Sequence, residues 1–249
     1  MENLMMVFSK QKILTLTLVG SLAFVGSEAQ AASTQIDPAE DVMTSAFFFG
    51  PNFVRGYTGD ARNVHRVATD NAFGAGPETI YITFNSSDFS GFSGPAPSAI
   101  LTLESASGGF GADASASMPF TVSAHAVDTD PLPAITDDTN PGGPIDWLTF
   151  FNNNILPADP AAITSVDGFG PVEFDVTDIV NDWISGDNTV FAIALTGKND
   201  TSGNDFLHGF LNNTENPGST FLTVVPEPGS MALLSLGFVG LLRRRRTRA

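Results

Sequence analysis

Cysteine is absent from the 249 residues, which excludes a disulfide framework, a thiolate metal site and a cysteine nucleophile together. Histidine is nearly absent. With only His65, His125 and His208, a multi-histidine metal centre would consume almost all of them. Basic residues are scarce, at 11 Lys and Arg against 27 Asp and Glu. No Gly-x-Ser-x-Gly, His-Glu-x-x-His, Walker or dinucleotide glycine pattern occurs, so a hydrolase elbow, a zinc protease and a nucleotide fold are not indicated. No apolar run reaches the ~20 residues of an unassisted spanning helix.

What is present is a hydrophobic fraction of 42%, 21 Phe, 24 Gly and 16 Pro. Such a chain can bury a core and is not compositionally disordered, despite a formal charge of -16. The few basic residues also sit mostly at the ends. Between 32 and 225 only Arg55, Arg62, Arg66 and Lys198 face 24 acids, a charge near -20. That field disfavours nucleic acid and anionic membrane as partners, and favours cations or neutral sugars.

Residues 1 to 31 have the zones of a secretory signal: Lys10 and Lys12, the apolar run Ile13 to Val25, then Ala29-Gln30-Ala31. Small side chains at Ala29 and Ala31 suit the shallow pockets of a signal peptidase, so cleavage is expected after Ala31.

The other end reads VPEPGSMALLSLGFVGLLRRRRTRA, residues 225 to 249. Pro226-Glu227-Pro228 is stiff and extended, because each proline fixes φ and removes a donor. Met231 to Leu242 is apolar apart from Ser235 and two glycines, and Arg243, Arg244, Arg245 and Arg246 follow. A basic cluster after an apolar stretch stops translocation and stays on the cytoplasmic side. As a helix at ~1.5 Å per residue the stretch is short for a span, and arginine snorkelling with local thinning would bridge the rest. This order of tripeptide, apolar stretch and arginine cluster resembles the PEP-CTERM sorting signal of Gram-negative bacteria. The resemblance implies an exosortase-type membrane enzyme as partner, a transient anchor in the inner membrane, and an association with exopolysaccharide.

In the middle, short alternating runs predict half-buried strands. Six are expected: Thr79–Phe84, Ala99–Leu103, Phe120–Val127, Val172–Thr177, Thr189–Thr196 and Thr220–Val225, parted by Gly, Pro, Asn, Asp and Ser. Turn chemistry of this density predicts an all-β sandwich. One helical turn is predicted over Thr177–Ile184, with Ile179, Val180, Trp183 and Ile184 on one side, Thr177 as cap, Gly186 as terminator and Trp183 in the core.

The segments Glu78–Phe84 and Pro97–Leu103, the element Phe174–Trp183 and the ending Asn212–Pro217 before Phe221–Val224 resemble DNRLRE-type domains. That resemblance implies a jelly-roll-like β-sandwich and, in some relatives, carbohydrate binding. The organisation expected is therefore a signal peptide over 1–31, a DNRLRE-like sandwich over 32–224 and a sorting and anchor segment over 225–249.

Two acidic groups could collect a hard cation such as Ca²⁺: Asp128, Asp130, Asp137 and Asp138 in one loop, and Glu40 with Asp41. The spacing lacks the pattern of an EF-hand loop, and solvated turn residues are the competing reading. The histidines are expected in surface or hydrogen-bonded roles. No catalytic residues stand out. The expected function is that of a non-enzymatic, exosortase-sorted protein of the envelope or extracellular matrix. The alternatives are a module binding extracellular polysaccharide and a secreted glycan-degrading enzyme, whose paired carboxylates could hide among the acids.

Overall fold

Alternation of apolar and polar side chains lets a strand bury one face while the backbone pairs sideways, and two such faces then close on each other. The computed structural model describes residues 32–45, 53–55, 64–68, 78–108, 112–129, 151–155, 159–198 and 207–227. Among them twelve strands form two antiparallel sheets, an all-β sandwich. The strands are β1 (Thr34–Ile36), β2 (Glu40–Ser45), β3 (Phe53–Arg55), β4 (Val64–Ala68), β5 (Glu78–Thr83) and β6 (Ser98–Ala106). They continue with β7 (Phe120–Ala126), β8 (Ala162–Val166), β9 (Gly170–Asp175), β10 (Ala192–Lys198), β11 (Leu207–Leu211) and β12 (Thr220–Val225).

Strand β6 centres the first sheet. β9 pairs along one edge, while β12 and then β11 share the other, with β1 outside β12 and β4 outside β11. The register sets Phe174, Leu101, Leu222 and Ile36 in one row across four strands, all buried. The second sheet runs β3-β2-β5-β10-β7-β8. Its rows Met43, Ile80, Leu195, Ala124 and Ile82, Ile193 face the first sheet. Burial of each large apolar side chain contributes about 1.5–3 kcal/mol.

All six expected strands are present, with shifted ends. Thr177 belongs to the helix rather than to β9, and β10 begins at Ala192. The second sheet departs from the expectation of one wet face. Its outward row Val42, Tyr81, Ala194 and His125 is buried, as are Thr79, Thr196 and Ser123 beside it. Hydroxyls make this possible, since His125 Nε2 and Thr196 Oγ1 satisfy each other at 3.0 Å.

Helix α1 (Thr177–Ser185) closes one end of the sandwich. Gly186 ends it at φ 83°, where its N–H reaches Asp182 O and Trp183 O, the terminator role expected. Thr177 does not cap it. Val176 stands at the cap position, and the Thr177 hydroxyl instead donates to Asp175 Oδ1 and accepts the Ala99 N–H at 2.9 Å, tying the helix to β6. Trp183 lies in the core as expected, with ring centroids 5.2 Å from Phe89, 5.6 Å from Phe191 and 5.8 Å from Phe84. Its indole N–H has no hydrogen-bond partner among the described residues.

At the seam between the sheets sits a buried polar chain. The His208 Nδ1 accepts the Ala114 N–H at 3.1 Å, which places the ring proton on Nε2, 2.5 Å from Ser105 Oγ. Ser105 Oγ in turn donates to Gly168 O at 3.0 Å. Burial pushes the His208 imidazole below the ordinary value of 6.5, while Asp113, 3.8 Å away, pulls it upward. Desolvation therefore outweighs the carboxylate, and the ring is a neutral structural group.

Two expectations follow for the folded domain. Trp183→Ala should cost about 3–5 kcal/mol in urea unfolding. Trp183→Phe should cost much less, because the indole N–H makes no bond to any described residue. For His208, the unfolded ring takes up a proton as pH falls through 6.5 while the folded ring resists it. The melting temperature should be flat in this respect above 6.5 and fall on acidification below it, before the carboxylates titrate. In His208→Gln that segment of the pH profile should flatten, at lower overall stability.

Candidate functional site

The site is built by the last strand. β12 is hydrogen-bonded on both sides, to β6 through Val225 opposite Ser98 and to β1 through Thr34 opposite Val224. Pro226 has no N–H to continue the ladder, so the strand stops at Val225 and the tripeptide begins with no intervening linker. Pro226 is half-buried and Glu227 exposed. The pairing also brings together what sequence separates by nearly the whole chain. Thr34, three residues past the expected signal cleavage at Ala31, lies beside the start of the sorting segment.

The loop that joins β5 to β6 completes the surroundings. Thr34, Asp88, Gly91, Phe92, Ser93 and Gly94 enclose with Pro226 and Glu227 a groove of about 280 Å³. At Gly94 a side-chain carbon would come within 3.3 Å of Glu227 Oε2, so the Glu227 side chain lies across a position kept open by glycine. The loop is held from α1. Asn181 Oδ1 accepts the Ala96 N–H at 2.7 Å and Asn181 Nδ2 donates to Ala96 O at 3.1 Å, a two-bond clamp on the backbone. Phe89 at the root of the loop packs into the Trp183 cluster. On the other flank of the loop a second, open groove of about 490 Å³ runs along α1, lined by Phe92, Asn181, Asp182, Ser185 and Asp187 among others.

Several expected site residues lie outside the described residues: Ala29 and Ala31, Pro228, Arg243, Arg244, Arg245 and Arg246, and Asp130, Asp137 and Asp138. Asp128 is described and exposed. Among the described residues no group of three His, Asp or Glu side chains could hold a metal ion. Glu40 and Asp41 do not act together, because alternation sends Glu40 to solvent and Asp41 inward. The buried Asp41 carboxylate accepts the Asn213 N–H at 2.7 Å, a bridge from the second sheet to the β11–β12 turn. That role escapes sequence reading, since nothing local marks position 41 as facing in. His125 and His208 are both buried in hydrogen-bonded positions, as expected of them. The expected apolar anchor Met231–Leu242 lies outside the described residues, and among the described residues no helix is long and apolar enough to cross a membrane.

Comparison with known proteins gives one match on this end of the chain. No curated protein matches it. Residues 224–246 match the PEP-CTERM protein-sorting motif, which implies secretion to the envelope or beyond and processing by an exosortase, a membrane enzyme.

Proposed function

We propose that the protein is a non-enzymatic component of the cell envelope or extracellular matrix, associated with exopolysaccharide or biofilm. A signal peptide cut after Ala31 exports it, the apolar stretch and arginines hold it for a time at the inner membrane, and an exosortase releases or transfers it. The observation that carries this reading is the position of the sorting match, which begins inside β12 at Val224 and runs unbroken into the apolar and arginine segments. The folded sandwich and the delivery signal thus share residues Val224 and Val225, with no linker between them. The non-enzymatic character draws support from the use of His125 and His208 in buried hydrogen bonds. The strongly acidic composition supports a role in an aqueous, cation-containing matrix.

A second reading is binding of extracellular polysaccharide, favoured by the open groove along α1. There the partly exposed Phe92 offers a flat apolar face beside Asp182, Ser185 and Asp187, whose oxygens suit sugar hydroxyls. The resemblance to DNRLRE-type domains points the same way. Ca²⁺ held by Asp128, Asp130, Asp137 and Asp138 would add a cation to such a surface.

Replacing Pro226, Glu227 and Pro228 together by Ala in the native host should leave the full-length chain unprocessed in the membrane fraction. Unchanged size and release on immunoblots would refute sorting through this tripeptide. For glycan binding, the secreted domain should be retarded in native gels containing the host's matrix polysaccharide, more so with Ca²⁺. Phe92→Ala should lose that retardation, and migration unaffected by the polysaccharide would remove the second reading.

A further inference from the structure

The sorting tripeptide follows directly on the last strand of the folded body. β12 ends at Val225 and the apolar stretch starts at Met231, so five residues, 226 to 230, join the two. Fully extended they reach about 17 Å. A membrane-embedded enzyme that draws the tripeptide into an extended cleft must therefore come up against the end of the sandwich. That end is built, not frayed. Thr34 is fixed by the pairing of β1 with β12, and the 91–94 loop is fixed by the Asn181 clamp and by Phe89. Glu227, the one charge of the tripeptide, is exposed yet lies across Gly94, so whatever reads its carboxylate also touches the loop.

Resting on the exosortase reading above, we propose that the pole formed by Thr34, Asp88 and Gly91 to Gly94 is a docking surface for the membrane-embedded processing enzyme, which recognises Glu227 and this pole as one epitope. The chemistry of the partner follows from the surface. Asp88 and Glu227 are carboxylates, and the groove between them is lined by Gly91, Ser93 and Gly94 with the ring of Phe92, so the matching face presents hydrogen-bond donors or cations beside one apolar contact. Gly94 matters because any side chain there intrudes between the carboxylate and its reader.

The test uses the full chain in its native host and follows conversion of precursor to processed product by pulse-chase. Gly94→Lys sets a cation beside the Glu227 carboxylate, at a position whose backbone conformation tolerates a side chain. It should slow processing roughly three- to tenfold, in the range of a lost charge contact at an interface rim. Inserting a flexible Gly/Ser spacer of about 12 residues between Val225 and Pro226 moves the tripeptide about 20 Å from the pole. In that background Gly94→Lys should have no effect. Ser93→Lys, at an exposed position, is the second variant should Gly94→Lys lower the melting temperature. Parental rates in both lysine variants at native spacing would overturn the docking surface, and so would equal slowing with and without the spacer. Processing that ignores alanine at 226, 227 and 228 would instead overturn the exosortase reading, which separates the two failures.

Discussion

Nine residues, Ser98–Ala106, accept partners along both edges, and the rest of the molecule is arranged around that strand. β6 is long enough to serve β12 with Ser98–Leu103 and β11 with its last residues, while β9 covers the opposite edge. Its inward residues Leu101 and Leu103 anchor the core, and inward Ser105 opens the hydrogen-bond chain to His208. Its start is tied to α1 through the Thr177 hydroxyl on the Ala99 N–H and the Val176 N–H on Ala99 O. One strand thus fixes both the sheet that ends in the sorting segment and the helix that steadies the neighbouring loop.

The path from core to sorting site can be followed residue by residue. Trp183 and its phenylalanine neighbours seat α1 on the end of the sandwich, and that seating aims Asn181 at the Ala96 backbone. Two hydrogen bonds to a partly buried amide then hold the backbone of a glycine-rich segment whose packing rests on Phe89 and Phe92, and each is worth about 1 kcal/mol net. Glycine and serine give the segment a low profile, so Glu227 can lie flat against it. Apolar packing supplies rigidity at a distance, and small residues turn it into access.

Much of this was legible in the sequence, for reasons that also explain the omissions. Val172, Phe174 and Val176 alternate with Glu173 and Asp175, and the burial pattern follows that alternation. β2 and β11 hide because a polar residue occupies an inward position. Asp41 is compensated by Asn213, and His208 by Ser105 and Ala114, partners that are remote in sequence. β1 and β3 have three residues each, too few for a period to show. In β5 the run Thr79, Tyr81 reads as a wet face, yet both residues are buried on the outer side of their sheet. The Thr177 reading failed in a similar way, since a hydroxyl at a helix start had a better acceptor and donor in β9 and β6 than in its own first turn. The sorting segment was readable because its parts are contiguous. Its proximity to Thr34 and Gly94 was not, because strand pairing over such separations leaves no local trace.

The pairing of β1 with β12 also has a mechanical side. Thr34 opposite Val224 is the outermost rung, at the end of the sheet where β12 runs on into Pro226. Opposed force on the chain before Thr34 and after Val224 would open this ladder like a zip, one rung after another, instead of shearing all rungs at once. The ladder spans only Thr34, Gln35 and Ile36. Such a force would thus be absorbed by a three-residue strand while β6 and the packed layers behind it stayed closed, much as a fuse protects a circuit.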